Sequence, residues 1–332
     1  MRPDVVALTI GDPNGIGPEI AVKAALASER PQPILVGDAF VIRHYAEQIA
    51  PGRALCRFDE QADRQDALRY HDVGSLTAET FRPGVASPDS GRATVAYVDA
   101  ALRLIDSGHA RSIVACPHSE SAVNSAGIKF SGYPSLLARL KKVSDDEVFL
   151  MLVGAGLRIV HVTLHEQLAS ALQRITPELI ERATRTAIDA LRKLGIDKPR
   201  LGVFGINPHA GEGGLFGDDD DRVVKPVVER LKAEGFDIDG PVGADLMLGH
   251  AGYDAFVAMY HDQGHIPIKL LAGRNSAAMS IGAGLMFSSV GHGSAFDIAG
   301  KGIADERSML EAFRQACELA TRHDDPQAVR AA

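Results

Sequence analysis

The residues of this chain best suited to chemistry are imidazoles that follow short apolar runs. His165 comes after the run 158–164, and His209 lies in Asn207-Pro208-His209-Ala210-Gly211-Glu212-Gly213-Gly214 after the run 201–206. His261 closes the run 255–260 and opens His261-Asp262-Gln263-Gly264-His265. Ligands of open parallel sheets gather beyond the carboxyl ends of the strands, so three histidines placed there can converge on one site. Neutral imidazoles suit zinc or another borderline divalent cation with positions left open for a substrate. Any one of these histidines alone reads more simply as a structural residue. The coincidence of three keeps the metal reading open beside that one.

Acid–base groups stand close by in sequence. Asp245, at the end of Gly240-Pro241-Val242-Gly243-Ala244-Asp245, and Asp262, next to His261, can serve as acid, base or orienting carboxylate. Lys269 falls one or two helical turns beyond His261; with a cation and an aspartate it could deprotonate an alcohol, or it could be an exposed helix residue. Two glycine-rich turns complete the set. In Gly11-Asp12-Pro13-Asn14-Gly15-Ile16-Gly17-Pro18-Glu19-Ile20, Ile20 occupies the place of the third glycine of a dinucleotide fingerprint. The turn could present backbone N–H groups and Asp12 to a ligand, or be a tight connection only. Gly291-His292-Gly293-Ser294-Ala295-Phe296-Asp297-Ile298-Ala299-Gly300 could approach a cofactor closely, or could merely turn the chain into its last helices.

The elements that must position these groups alternate along the chain. Runs rich in Val, Ile and Leu at 5–10, 33–36, 112–116, 148–153, 158–164, 201–206 and 255–260 are separated by segments of helical period, which indicates an α/β fold with largely parallel strands. One helix is plain: Thr176 as N-cap, then Pro177 and Glu178, with Ile180, Ala183, Ala187, Leu191 and Leu194 on one face and a stop at Gly195. The acids Asp218 to Asp221 read as a solvated loop at a helix start rather than a cation site. A length of 332 residues suggests two domains. The net charge of -8, with no basic cluster, argues against a nucleic-acid partner. The longest apolar run, 149–157, is far short of the roughly 18 residues of a membrane span, and no leader pattern precedes Gly11, so the chain reads as cytoplasmic. Cys56, Cys116 and Cys317 are odd in number and lack CxxC spacing, as expected of reduced structural thiols, and the polar tail from Thr321 is expected to fray.

Taken together, the segments 10–20, 206–214, 259–269 and 289–300 resemble the 4-hydroxythreonine-4-phosphate dehydrogenase (PdxA) family of vitamin B6 biosynthesis, a likeness running from about residue 5 to about residue 320. The resemblance implies two α/β/α domains flanking a cleft, related to isocitrate and isopropylmalate dehydrogenases: residues 1–128 with 302–332, and residues 129–301, the latter carrying the metal-ligand histidines and the dimer contacts. It implies a homodimer with an active site shared between subunits. A divalent metal would sit on His165, His209 and His261, zinc ahead of magnesium, manganese, cobalt or iron. NAD would be the hydride acceptor, held by Asp12, Asn14, Gly15, Gly291, His292, Gly293 and Asp297, with Asp245, Asp262 and Lys269 as the catalytic acid–base candidates.

The departures from the family pattern concern the substrate. Biosynthetic members hold a phosphate with a His-Thr pair, a Lys, an Asn and an Arg; here those places read Tyr133-Pro134, Lys269, Ala278 and Phe287. Only the lysine survives, and a buried dianion without polar and bidentate donors would cost several kcal/mol. The stretches 115–118, 130–137, 148–166 and 264–271 are similar instead to a catabolic branch, the terephthalate dihydrodiol dehydrogenases. That likeness implies NAD- and metal-dependent oxidative decarboxylation of a cyclic cis-diol carboxylate, with 1,2-dihydroxy-3,5-cyclohexadiene-1,4-dicarboxylate giving protocatechuate and CO2. His118, Tyr133, Pro134, Lys269 and Phe287, with His265, would then line a pocket for a flat acidic ring. The alternatives are a dehydrogenase of 4-phosphohydroxy-L-threonine or a related phosphorylated sugar acid and, outside redox chemistry, a metal-dependent hydrolase or metal-binding protein.

Overall fold

The computed structural model describes residues 5–28, 33–59, 67–273 and 276–322. They form two compact units of α/β class, one made of the chain up to Leu136 and from Phe287 onward, the other of Leu137–Met286. The first unit opens with β1 (Val6–Thr9), β2 (Ile34–Gly37), β3 (Leu55–Arg57), β4 (Leu68–Asp72) and β5 (Ser112–Ala115). The second contains β6 (Val148–Gly154), β7 (Leu157–His161), β8 (Arg200–Phe204), β9 (Asp237–Val242), β10 (Ala255–Ala258) and β11 (Ala277–Gly282), and β12 (Leu285–Val290) then returns to lie beside β5.

In the first unit the strand order is β3-β4-β2-β1-β5-β12, and every neighbouring pair is parallel. β1, β2 and β5 are buried at each position, which explains their unbroken apolar sequences: a parallel strand covered on both faces has no solvent side on which polar residues could alternate. The pairing of β12 with β5 also carries the Gly291–Gly300 turn into this unit. The two compact units are bounded near 136 and 287.

In the second unit the order is β11-β6-β7-β10-β8-β9. β6 is antiparallel to both β11 and β7, whereas β7, β10, β8 and β9 run parallel, so their carboxyl ends share one edge. Helix Pro177–Lys193 forms as its sequence indicates, with the Thr176 hydroxyl accepting from the Leu179 N–H at 3.3 Å and Ile180, Ala183, Ala187 and Leu191 buried. Leu150, Leu152, Ile159, Phe204, Phe256 and Ile268 close the core beneath helix His261–Ala272, with the Phe204 and Phe256 rings stacked at 5.5 Å. Cys56 and Cys116 are buried thiols. No helix among the described residues is long and apolar enough to cross a membrane. The expected fraying falls mainly on residues 323–332, which lie outside the described ones.

Candidate functional site

Two histidines singled out by sequence meet at the shared edge of the second unit. His165 follows β7 by four residues, and His261 is the first residue of the helix after β10. Gln263 pins that helix start to the sheet: its side chain accepts from the Met259 N–H at 2.8 Å and donates to the Gly205 carbonyl at 2.7 Å. The His165 and His261 rings are 5.4 Å apart between centroids, and His265, one turn further along the helix, stacks on His261 at 3.6 Å. One ligand nitrogen from each of the three lies within 4.8 Å of the others. Asp262 is exposed and its Oδ1 sits 2.7 Å from His261 Nδ1, so Nε2 is the nitrogen His261 has left for a ligand.

The electrostatics favour neutral rings. Burial, then the neighbouring imidazoles of His161 and His261, hold His265 far below the usual histidine range. Behind it His161 is buried and pushed down to about 4 by desolvation, partly offset by the Leu150 carbonyl. A neutral imidazole keeps a lone pair for a cation, and a set of three imidazoles fits a borderline divalent metal. A cavity of about 320 Å³ opens beside it, lined by His165, Glu166, Tyr260, His261 and Asp262 among others.

The remaining candidates of this unit occupy neighbouring positions. His209 is exposed on a turn where His209, Ala210 and Glu212 all have left-handed backbone, with φ of 53°, 52° and 43°, a strained run for residues that carry a Cβ. Its entry is fixed by Asp220, a buried carboxylate that accepts from the N–H groups of Ile206 and Asn207 at 2.7 and 3.0 Å. The acidic run is thus only partly solvated: Asp218, Asp219 and Asp221 pair with Arg222 and Lys225, while Asp220 shapes the His209 turn. His209 is not among the three clustered imidazoles of its own chain. Asp245 is exposed and close to it, since a Cβ at Gly243 would lie 2.8 Å from Asp245 Oδ1 and 3.7 Å from His209 Cα. Lys269 shares the helix face of His261 and His265 at intervals of four; it is half-buried, donates to Ser276 Oγ at 3.0 Å, and burial lowers its pKa. The grouping of His265 with His261 was readable as His-x-x-x-His on a helix. His161 offered only the weaker sign of a polar residue ending an apolar strand.

In the first unit the two glycine-rich turns touch. Ile16 N–H donates to the Ser294 carbonyl at 2.9 Å, and a Cβ on Gly15 would lie 2.7 Å from Ser294 Cβ, so only glycine permits this approach. Asp12 and Asn14 are fully buried. Asp12 accepts from Asn14 N–H at 2.9 Å and Ser90 Oγ at 3.2 Å, and burial raises its pKa to about 6 against those hydrogen bonds. Asn14 donates to the Val85 carbonyl at 2.9 Å and accepts from Arg82 N–H at 2.8 Å. These hydrogen bonds tie the turn together. In the other turn Gly291, Gly293 and Asp297 are exposed, and half-buried His292 has Nε2 at 2.7 Å from Ser308 Oγ.

Also in this unit, His118 meets Phe130 and Tyr133 edge-on at 4.8 and 4.4 Å, and Tyr133 packs on Phe287 at 4.6 Å. The Tyr133 hydroxyl donates to the Cys116 carbonyl at 3.0 Å. Phe287 is 1% and Tyr133 4% exposed, whereas His118 and Pro134 are half-buried. Phe287 and Tyr133 therefore fill the interior, and His118 is the ring that reaches the surface of the cluster.

The sequence pattern of pyridoxal phosphate biosynthetic protein PdxA matches residues 29–316. The chain belongs to the PdxA family. It is 48% identical over 305 residues to the 1,2-dihydroxy-3,5-cyclohexadiene-1,4-dicarboxylate dehydrogenase of Comamonas sp, covering 92% of this chain and 94% of that protein. It is 40% identical over 329 residues to the D-threonate 4-phosphate dehydrogenase of Cupriavidus necator, covering 96% and 98%. The crystal structure of a terephthalate 1,2-cis-dihydrodiol dehydrogenase from Burkholderia xenovorans LB400 superposes with a TM-score of 0.73 at 53% identity, covering 96% of this chain and 98% of that one. Phosphorylated and unphosphorylated acids both occur among the names of such PdxA relatives.

Proposed function

We propose that the chain is a nicotinamide- and metal-dependent dehydrogenase acting on an unphosphorylated cyclic cis-diol carboxylate, with 1,2-dihydroxy-3,5-cyclohexadiene-1,4-dicarboxylate as substrate and protocatechuate and CO2 as products. The observation that carries this reading is Phe287. Where phosphate-binding relatives are expected to place a guanidinium, this chain has a ring at 1% exposure packed on Tyr133, and Ala278 supplies no amide. The similarity to two dihydrodiol dehydrogenases over more than nine-tenths of the chain supports the same choice.

When bound, a divalent cation, zinc first, would acidify the reacting hydroxyl, and NAD would accept the hydride from the carbon that bears it. His165 and His261 would hold the cation, with the exposed His209 of a second copy completing the set in a homodimer. Asp262 orients the His261 ring. Lys269 is the base: burial lowers its pKa, enlarging the neutral fraction that can take the hydroxyl proton. Asp245, exposed beside His209, would steady that turn. The Gly291–Asp297 segment, open at Gly291, Gly293 and Asp297, would receive the cofactor, with Asp12, Asn14 and Gly15 bracing it from behind. The ketone formed lies next to the carboxylate-bearing carbon, so loss of CO2 restores an aromatic ring and needs no further side chain.

The test is a substrate comparison that follows reduced nicotinamide and released CO2 with the cyclic diol dicarboxylate, D-threonate 4-phosphate and 4-phosphohydroxy-L-threonine side by side. Turnover of the diol with matching CO2 is expected. Faster turnover of either phosphorylated acid would overturn the proposal and make the surviving Lys269 a phosphate ligand.

A further inference from the structure

His161 and His265 form a pair that the proposed reaction leaves without a role. His161 ends β7 at 1% exposure, with Nδ1 3.2 Å from the Leu150 carbonyl oxygen. A carbonyl can only accept, so the proton of this neutral ring sits on Nδ1 and Nε2 carries a lone pair. That Nε2 lies 3.0 Å from His265 Nδ1, which is also 3.2 Å from the His261 carbonyl oxygen. Two acceptors around one nitrogen place the proton on His265 Nδ1 and the lone pair on its Nε2.

The helix leaves room for this pair. A Cβ on Gly264 would fall 2.3 Å from His161 Nε2 and 2.9 Å from its Cε1, so any side chain at 264 would block the path from the strand ring to the helix ring. On its other side His265 stacks on His261, and the ligand nitrogens of His165, His261 and His265 lie within 4.8 Å of one another. Both helix histidines thus have Nδ1 engaged, by Asp262 in one case and by His161 in the other, which is how ligating imidazoles are commonly oriented.

We infer that His265 is a further ligand of the cation assigned to His165 and His261, and that buried His161 is the positioning residue that fixes its tautomer. The inference rests on the metal reading of the proposed function. The His261 and His265 rings are 13° from parallel, so binding requires them to open into a wedge. Their spacing of four on a helix face allows this, as in other helical two-histidine sites.

The experiment uses the full chain labelled with 15N in its histidine rings. In the metal-free protein, long-range 1H–15N correlations should show the Nδ1–H tautomer at His161 and His265; an Nε2–H signal at His265 would overturn the lock. Titration with Co(II) should then give binding about 10- to 100-fold weaker in His161→Leu, the range seen when a residue behind a ligand is lost. His265→Leu should weaken binding at least as much and alter the visible Co(II) spectrum. His161→Gln should recover most of the affinity, because its amide can accept from His265 and donate to Leu150. Wild-type affinity and spectrum in His265→Leu would remove the ligand role while leaving the site on His165 and His261 standing. Failure of the wild-type chain to bind Co(II) or zinc at all would remove the metal reading and this inference together.

Discussion

The imidazole cluster of the second unit and the glycine-rich turns of the first both follow carboxyl ends of parallel strands, yet they handle polar atoms in opposite ways. His165 is exposed and His261 and His265 are half-buried, with one ring nitrogen of each within 4.8 Å of the others. Asp12 and Asn14 are fully buried, and the hydrogen bonds they make join Asn14, Ser90, Val85 and Arg82. The first arrangement gathers ring nitrogens within 4.8 Å of one another. The second bonds its polar groups to the chain and yields shape: a braced support for the exposed segment that follows Gly291. Closeness to a strand end therefore locates candidates, but the extent of internal hydrogen bonding separates one kind of region from the other.

The largest effect should come from the open region. Lys269→Met is expected to lower kcat/KM by about 10²- to 10⁴-fold, the range for a lost general base, with little change in thermal stability. Burial depresses the Lys269 pKa, so in the wild type the basic form appears below the ordinary lysine range and the rate rises with pH through that value. In Lys269→Arg this limb should vanish, because a guanidinium does not deprotonate. A loss under tenfold would shift the role to Asp262 or Asp245.

A second test asks whether the aromatic cluster belongs with the open or the closed group. Phe287→Arg would place a guanidinium beside Tyr133 in an interior position, at a cost of roughly 3 kcal/mol or more in denaturant unfolding, because burial strips the charge of water. A variant that stays as stable as the wild type and gains affinity for phosphorylated acids would show that an arginine at this position turns toward the substrate.

The contrast also explains what was legible in the sequence. β1, β2 and β5 could be read because burial on both faces demands uninterrupted apolar runs. β3, β4 and β9 could not, since Arg57, His71 and Asp237 interrupt them near solvent. His165 and His261 were visible as histidines after strands, and His265 was seen as a ring beside the substrate rather than as their neighbour at a helical interval. His161 is defined by Leu150, eleven residues away, and by His265, more than a hundred away, and no local pattern encodes that. The partners of Asp12 and Asn14 were hidden for the same reason: the sequence displays polar groups but not the distant atoms that bond to them, here at Arg82, Val85 and Ser90.

Asp12 gives the closed region a pH signature. Its folded pKa is raised from 3.8 to about 6, so its contribution to stability is present at low pH and is lost as pH climbs through that interval. At about 1.4 kcal/mol per unit, the wild type should lose roughly 2 kcal/mol relative to Asp12→Asn between pH 4 and pH 7, the unfolded carboxyl being already partly ionised at pH 4. Unfolding free energies of both proteins across that range measure the difference directly. Parallel curves would mean that the carboxylate is solvated and the turn open.

The smallest effect should come from Gly15, where the two turns touch. An Ala Cβ would meet Ser294 Cβ at 2.7 Å and its carbonyl oxygen at 2.8 Å, and the second contact is with backbone that cannot swing aside. Gly15→Ala should cost about 1–3 kcal/mol, the usual penalty of overpacking, and should raise KM for the nicotinamide cofactor more than it lowers kcat, because the displaced segment leads out of Gly291–Gly293 and not out of the imidazole cluster. Adding Ser294→Gly removes the Cβ half of the clash but not the carbonyl half, so the double variant should recover only part of the stability, with a coupling energy of about 0.5 kcal/mol or more between the two sites. A Gly15→Ala protein of wild-type stability whose cofactor KM is nonetheless raised would place Gly15 at the cofactor itself, and the division between reacting and bracing regions would have to be redrawn around it.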